Sequence, residues 1–270
     1  MQGRRQGPGA TREHAWKNQW LCTCKGLDVL AEATRITDVP DPDPAQYDPF
    51  AAAYEDHAAT APYNALYDRP ATLDLIGPVA GRRVLDAGCG PGFYIAALLA
   101  RGATVLGCDA SPQMIELARE RVGDAAEFRV HSLDEPFGWI DDEAIDIVVC
   151  ALVYHYVNNR RGYLEEVHRM LRPGGALVIS THHPTADWLR LGGSYFTVEP
   201  VTETWSQGWE ITAWRMPLTQ MTAEFTEVGF LIERLVEPMP NPDMARTHPR
   251  TFAKLSTEPR FILFRLVKPG

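Results

Sequence analysis

Three glycines follow an acid at alternating positions in the run Asp86-Ala87-Gly88-Cys89-Gly90-Pro91-Gly92. Glycine is needed where a chain turns sharply out of a strand and lets a ligand touch its backbone. The amide N–H groups bared in such a turn can hold a carboxylate or a phosphate. Asp109 ends the next apolar run, and a carboxylate there can accept hydrogen bonds from both hydroxyls of a ribose. Three histidines complete the set: His155 comes after a later apolar run, and His182 and His183 end the one after it. An imidazole titrates where it can take a proton from a substrate. His155 is either such an acid/base or substrate contact, or a hydrogen-bonded histidine under a lid. Adjacent side chains on a strand point opposite ways, so one of His182 and His183 is a candidate to line a pocket. No matching carboxylate pattern accompanies them, and no metal site is expected.

The elements that must position these residues alternate. Arg83–Asp86 reads as a short strand, succeeded by the glycine turn and a helical run over 93–100. Thr104–Asp109 is a second strand and 112–121 a second helix, with Ser111 able to cap it and Pro112 able to occupy its first turn. Glu127–Val130, 144–151 and 176–181 are three further strands. A helix over 163–171 precedes the last of these and is stopped by Pro173-Gly174-Gly175. Strands apolar on both faces, alternating with helices, predict a parallel sheet covered on both sides, with right-handed crossovers. Upstream, 47–76 is helical, with Phe50, Tyr54 and His57 on one face and Pro62 and Pro70 cutting the region into short helices. Residues 182–217 break the pattern. They carry Trp188, Tyr195, Phe196, Trp205, Trp209 and Trp214 with little helical regularity. A helix over 219–228 and strands over 230–236 and 260–267 come last, the two strands fitting an antiparallel pair at a sheet edge.

The spacing D-x-G-x-G-x-G, with Cys89 and Pro91 as variable residues, closely resembles the first motif of the class I S-adenosylmethionine-dependent methyltransferases. Asp109-Ala110-Ser111-Pro112-Gln113-Met114 resembles the second. Residues 144–157 resemble the strand and loop that face the transferring methyl, and 165–175 the helix and turn before the fifth strand. The resemblance is clear over roughly residues 45–182. It implies a Rossmann-like seven-stranded, mostly parallel sheet with helices on both faces, an antiparallel edge strand, an N-terminal helical cap and a lid insert after strand five. It also implies S-adenosyl-L-methionine as cofactor. The methionyl carboxylate would sit over Gly88 and Gly90, the ribose would pair with Asp109, and adenine would lie among Ala110, Met114 and Leu133. Cys89, Gly92 and Ala151 are further cofactor-binding candidates. Asp86 would orient the cofactor's amino group through water or simply brace the turn. Tyr54 resembles a cap tyrosine that touches the cofactor, or serves packing. Many members carry an acid where this chain has Ser132; Ser132 accepts more weakly, and a shift of the loop would bring Asp134 to the same contact. The predicted catalytic residues are His155 and His182. The expected reaction is in-line transfer of a methyl group to a small-molecule acceptor. A non-catalytic cofactor-binding module and a nicotinamide oxidoreductase are the other readings, and the absence of GxGxxG argues against the latter.

The chain has 270 residues and a formal net charge of -9. An acidic balance argues against a nucleic-acid backbone or an anionic membrane surface as partner. No apolar stretch approaches the roughly 20 residues that span a bilayer. Met1–Ala10 lacks the apolar core of a secretory signal, so a cytoplasmic monomer or homodimer is expected. Of five cysteines, Cys22 and Cys24 read as incidental thiols and Cys108 and Cys150 as small hydrophobes in buried strands. Residues 1–44 read as a loosely ordered extension ending in an acid–proline linker, 45–270 as the domain, and 182–217 as its substrate lid, an accessory core or a dimer contact.

Overall fold

Successive side chains of the central strands serve two different cores. Leu85, Leu106, Val148 and Leu177 lie on one face of a sheet, while Val84, Val105, Val149 and Val178 lie on the other, all buried. The period-2 alternation of a strand with no polar face produces this division. The computed structural model describes residues 39–270. Residues 1–38, with Cys22, Cys24 and most of the expected extension, lie outside the described residues.

The sheet comprises β1 (Arg83–Ala87), β2 (Thr104–Asp109), β3 (Glu127–Val130), β4 (Ile145–Ala151), β5 (Leu171–His182), β8 (Leu231–Val236) and β9 (Phe261–Val267), and a separate hairpin comprises β6 (Glu199–Thr204) and β7 (Glu210–Arg215). The sheet order is β3-β2-β1-β4-β5-β9-β8. β1 to β5 run parallel, and β9 is antiparallel to both β5 and β8, so the expected antiparallel pair forms that edge. The helices are α1 (Ala51–Thr60), α2 (Arg69–Ile76), α3 (Phe93–Leu99), α4 (Pro112–Val122), α5 (Arg160–Met170), α6 (Pro184–Leu191), α7 (Leu218–Glu227), α8 (Asp243–Thr247) and α9 (Pro249–Leu255). α5 and α7 cover one face through Leu164, Val167 and Phe225; α2, α3 and α4 cover the other through Leu73, Ile95 and Ile115.

Several local readings hold at the atomic level. Ser111 caps α4, its Oγ accepting from the Met114 N–H at 3.1 Å, with Pro112 in the first turn. Pro70, in contrast, does not cut a helix. The chain passes through a π-helical turn (Asn64–Asp68) directly into α2. Proline frees the carbonyl four residues back, and here the Leu66 carbonyl accepts from the Asn241 N–H at 2.9 Å instead. The 182–217 segment is also more regular than its sequence indicates, forming α6 and then the β6–β7 hairpin. β5 begins at Leu171, earlier than expected, with an irregularity through the Pro173-Gly174-Gly175 stretch.

Gly107 in β2 lets this packing close behind the glycine turn. A Cβ there would lie 2.5 Å from Ile95 Cδ1 and 3.2 Å from both Cys89 Sγ and Phe128 Cδ1. Overpacking of a tight core costs about 1–3 kcal/mol. Gly107→Val is therefore expected to lower stability by that amount in urea unfolding; a change under about 0.5 kcal/mol would contradict the packing described.

Candidate functional site

Strand order reverses between β1 and β4, and in an open α/β sheet ligands bind outside the carboxyl ends of the strands at such a point. A cleft enclosing about 960 Å³, its mouth included, opens there. Gly88, Cys89 and Gly90 line it from the turn after β1, Asp109 and Ala110 from the end of β2, and Met114 from α4. Ser132 and Leu133 come after β3, and Ala151 ends β4.

The turn is built around close approaches. Gly88 has φ +79°, and a Cβ on it would sit 2.5 Å from a methyl of Val153. Gly92 has φ +81° and is closed off by Ala118 of α4, so it does not reach the cleft; it lets α3 pack against α4. Asp109 joins this turn to the next one. Its Oδ2 accepts from the Gly90 N–H at 2.9 Å and its Oδ1 from the Ser111 N–H at 3.0 Å. Burial raises its carboxyl to about 6, against the lowering effect of those amides.

Asp86 lies beneath the turn rather than in the cleft wall. Both its oxygens are buried without a hydrogen-bond partner. Burial, and secondarily the charge of Asp109, raise its carboxyl to about 8. Asp134 lines the cleft but is already committed. It accepts from the Asn158 and Asn159 N–H groups, each at 2.7 Å, so it is not free to move into the place of Ser132. Ser132 Oγ itself accepts from the Asp134 N–H at 3.2 Å.

The histidines lie behind the cleft wall. His155 is 1% exposed, bonds Thr181 Oγ1 through Nδ1 at 3.0 Å, and stacks on His182 with ring centroids 4.0 Å apart. Burial, then the neighbouring His182, hold its imidazole well below the ordinary range, so it stays neutral. His182 Nδ1 approaches Asp187 Oδ2 at 3.6 Å. His183 turns the other way, meeting Glu237 at 2.8 Å and capping α6 by accepting from the Thr185 N–H. None of the three lines the cleft.

Tyrosines occupy the wall where histidine was expected. Tyr54 lines the cleft from α1, and burial raises its phenol to about 12. Tyr47 and Tyr156 share a hydroxyl–hydroxyl hydrogen bond of 2.7 Å, with the Tyr156 ring against His155. The hairpin packs over them, Trp205 beside Tyr47 and Trp209 stacked on Phe50 at 4.7 Å. Pro44, Asp68, Arg69 and Tyr94 also line the cleft. Sequence reasoning singled out none of Tyr47, Tyr156, Asp68 and Arg69. The run Tyr154-His155-Tyr156 was the available signal, and the 3-10 turn over these residues turns its tyrosine, not its histidine, to the cleft.

Comparison with known proteins agrees with this architecture. Residues 85–179 match the family described as a methyltransferase domain. The chain is 42% identical over 115 residues to a demethylmenaquinone methyltransferase of Clavibacter sepedonicus, covering 41% of this chain and 45% of that protein. It is 30% identical over 151 residues to a ubiquinone biosynthesis O-methyltransferase of Xylella fastidiosa, covering 52% and 60%. The crystal structure of an S-adenosylmethionine dependent methyltransferase from Mesorhizobium loti superposes with a TM-score of 0.62 at 23% identity, covering 78% of this chain and 99% of that one. The chain spans about half the length of the first curated relatives it matches. The fold is that of the Rossmann-like methyltransferases. The chain is thus similar over residues 85–179 to methyltransferase domains, and it shares its fold with S-adenosylmethionine-dependent methyltransferases.

Two buried carboxyls with raised affinity for protons have a sign consequence. Such groups are protonated in the folded chain at pH values where the unfolded chain has lost the proton. Their stabilising contribution is complete below about pH 4 and is lost as pH rises towards 8. Asp86→Asn removes the larger part. It is expected to be more stable than the wild type at about pH 9 by more than about 1 kcal/mol, with the gap shrinking towards about pH 5. Urea melts at the two pH values read this, and a gap independent of pH would contradict the burial of an unpaired carboxyl.

Proposed function

We propose that the domain binds S-adenosyl-L-methionine in this cleft and transfers its methyl group to a small-molecule acceptor. The observation that carries the reading is the convergence on one cleft of the Gly88–Gly90 turn, the Asp109 carboxylate and an apolar floor from Met114 and Leu133. The residues fit the cofactor. A Cβ added at Gly90 would meet nothing, so the backbone is open to a ligand there. Each Asp109 oxygen, with one amide bound, keeps a lone pair for a ribose hydroxyl. Ala110, Met114 and Leu133 suit a flat apolar ring, with Ser132 at its edge. Asp86, beneath the turn with both oxygens unpartnered, would keep its proton at neutral pH and reach the cofactor's amino group through a water.

The cofactor, when bound, supplies an electrophilic methyl on a sulfonium. The protein's part is to align an acceptor, exclude water and leave a path for any proton. Tyr47, Tyr54 and Tyr156 form the wall that would face an acceptor, and the aromatic hairpin over Tyr47 and Phe50 would act as a lid against water. These phenols serve as hydrogen-bonding groups rather than bases, because burial raises them all. His155 and His182 would act by supporting Tyr156 from behind. The aromatic lining favours a flat, largely apolar acceptor.

Calorimetric titration of S-adenosylmethionine and S-adenosylhomocysteine tests the reading. Wild type is expected to bind both at micromolar concentrations. Asp109→Ala is expected to weaken both at least about tenfold, since hydrogen bonds to a charged group contribute about 1.5–3 kcal/mol. Absence of binding to folded wild type would overturn the proposal.

A further inference from the structure

Asn158 lies two residues past Tyr156, half-buried, and its carboxamide joins three segments that are far apart in the chain. Nδ2 donates to the Pro42 carbonyl at 2.9 Å and to Asp134 Oδ2 at 3.2 Å. Oδ1 accepts from the indole N–H of Trp214 in β7 at 2.9 Å. Chemistry fixes this orientation. An indole N–H only donates, and a carbonyl or carboxylate only accepts, so a flipped amide would lose all three bonds. The Asn158 backbone N–H adds a fourth bond, to Asp134 Oδ1 at 2.7 Å.

Each of the three segments borders the cleft. Asp134 lines it beside Ser132 and Leu133, Pro42 leads into the strap that carries Pro44 and Tyr47, and Trp214 belongs to the aromatic hairpin. Strap and hairpin are also stitched directly. Gln46 donates from Nε2 to the Thr212 carbonyl at 3.1 Å and accepts from the Thr212 N–H at 2.9 Å, as a further strand beside β7 would. Neither of these bonds reaches the 132–134 loop. Among the described residues, Asn158 is the one side chain hydrogen-bonded to loop, strap and hairpin together.

We propose that Asn158 is a positioning residue that makes closure of the cleft depend on its cofactor. The inference rests on the reading of this cleft as the S-adenosylmethionine site, with adenine against Leu133 and Ser132. A ligand that fixes the 132–134 loop fixes Asp134, and through Asn158 it fixes the strap and the hairpin. The tyrosine wall that would meet an acceptor, Tyr47 bonded to Tyr156, is then complete only with the cofactor in place. Cofactor first and acceptor second is the order this arrangement imposes.

Backbone hydrogen exchange, read by mass spectrometry with and without saturating S-adenosylhomocysteine, tests it. In wild type the ligand is expected to slow exchange about tenfold at 45–50 and 199–215 as well as at the 88–92 turn. Asn158→Ala keeps the backbone bond to Asp134 and is expected to bind within about tenfold of the wild-type affinity by calorimetry. Its ligand-induced slowing is expected to persist at 88–92 but to fall below about threefold in strap and hairpin. Gln46→Ala is the control: strap and hairpin each stay tied to Asn158, so the ligand still slows both. Should Asn158→Ala fail to fold, Asn158→Asp keeps the shape and the Trp214 bond but neither donor, and is expected to show the same loss. A folded Asn158 variant whose strap and hairpin respond as in wild type overturns the inference, as does one that, without ligand, exchanges faster throughout the sheet. Wild type that binds the ligand without slowing either segment also overturns it. Wild type that binds no ligand instead removes the cofactor reading on which it stands.

Discussion

The carboxylate of Asp109 holds together two turns that belong to different strands. One oxygen takes the Gly90 amide after β1, and the other takes the Ser111 amide at the start of α4. Removing it would leave two part-buried donors without their protein partner at the edge of the cleft. The clamp also sets the cap. Ser111 Oγ donates to Asp48 at 2.6 Å while accepting from Met114, so the segment carrying Tyr47 is anchored to the same point. Turn, helix start and cap are therefore placed by one chain of polar contacts. The groups that line the cleft inherit their positions from it.

The part of the site legible in the sequence is the part whose geometry is local. Gly88, Gly90 and Asp109 announce themselves because a strand-to-helix turn permits few residues, and Ser111-Pro112 does so because a helix start has a side-chain grammar. Four strands of the parallel half, β1, β2, β4 and β5, were equally plain, being apolar on both faces, whereas β3 at the edge is largely exposed. The cap was not. Its periodicity runs through a π-helical turn, and an extra residue in a turn rotates the downstream helix by about 100° about its axis. Faces assigned from a 3.6 period upstream of it say nothing of Asp68 and Arg69 downstream. The β6–β7 hairpin was hidden for another reason: its strands are short, mixed in polarity and half-exposed. Such strands carry little alternation.

The histidines show how a short turn decides which of two adjacent residues lines the cleft. His155 and Tyr156 lie in the 3-10 turn after β4. The imidazole goes inward, where Thr181 and the stacked ring of His182 receive it. The phenol goes outward to Tyr47. Asp187, held by Arg190 within α6, then ties this layer to the element leading into the hairpin. Its polarity is satisfied internally, which makes it a support for the wall.

The bond from Asn241 to the Leu66 carbonyl joins distant parts of the chain. Leu66 lies within the π-helical turn that ends at Asp68, and Asn241 lies in the segment between β8 and α8. The freed carbonyl of a proline-containing helix has thus become a mechanical strut between the far edge of the sheet and the cap. Anything that reshapes the β8–α8 segment is transmitted to the turn presenting Asp68 and Arg69. The shape of the cleft is thereby open to evolutionary adjustment from a segment that does not line it.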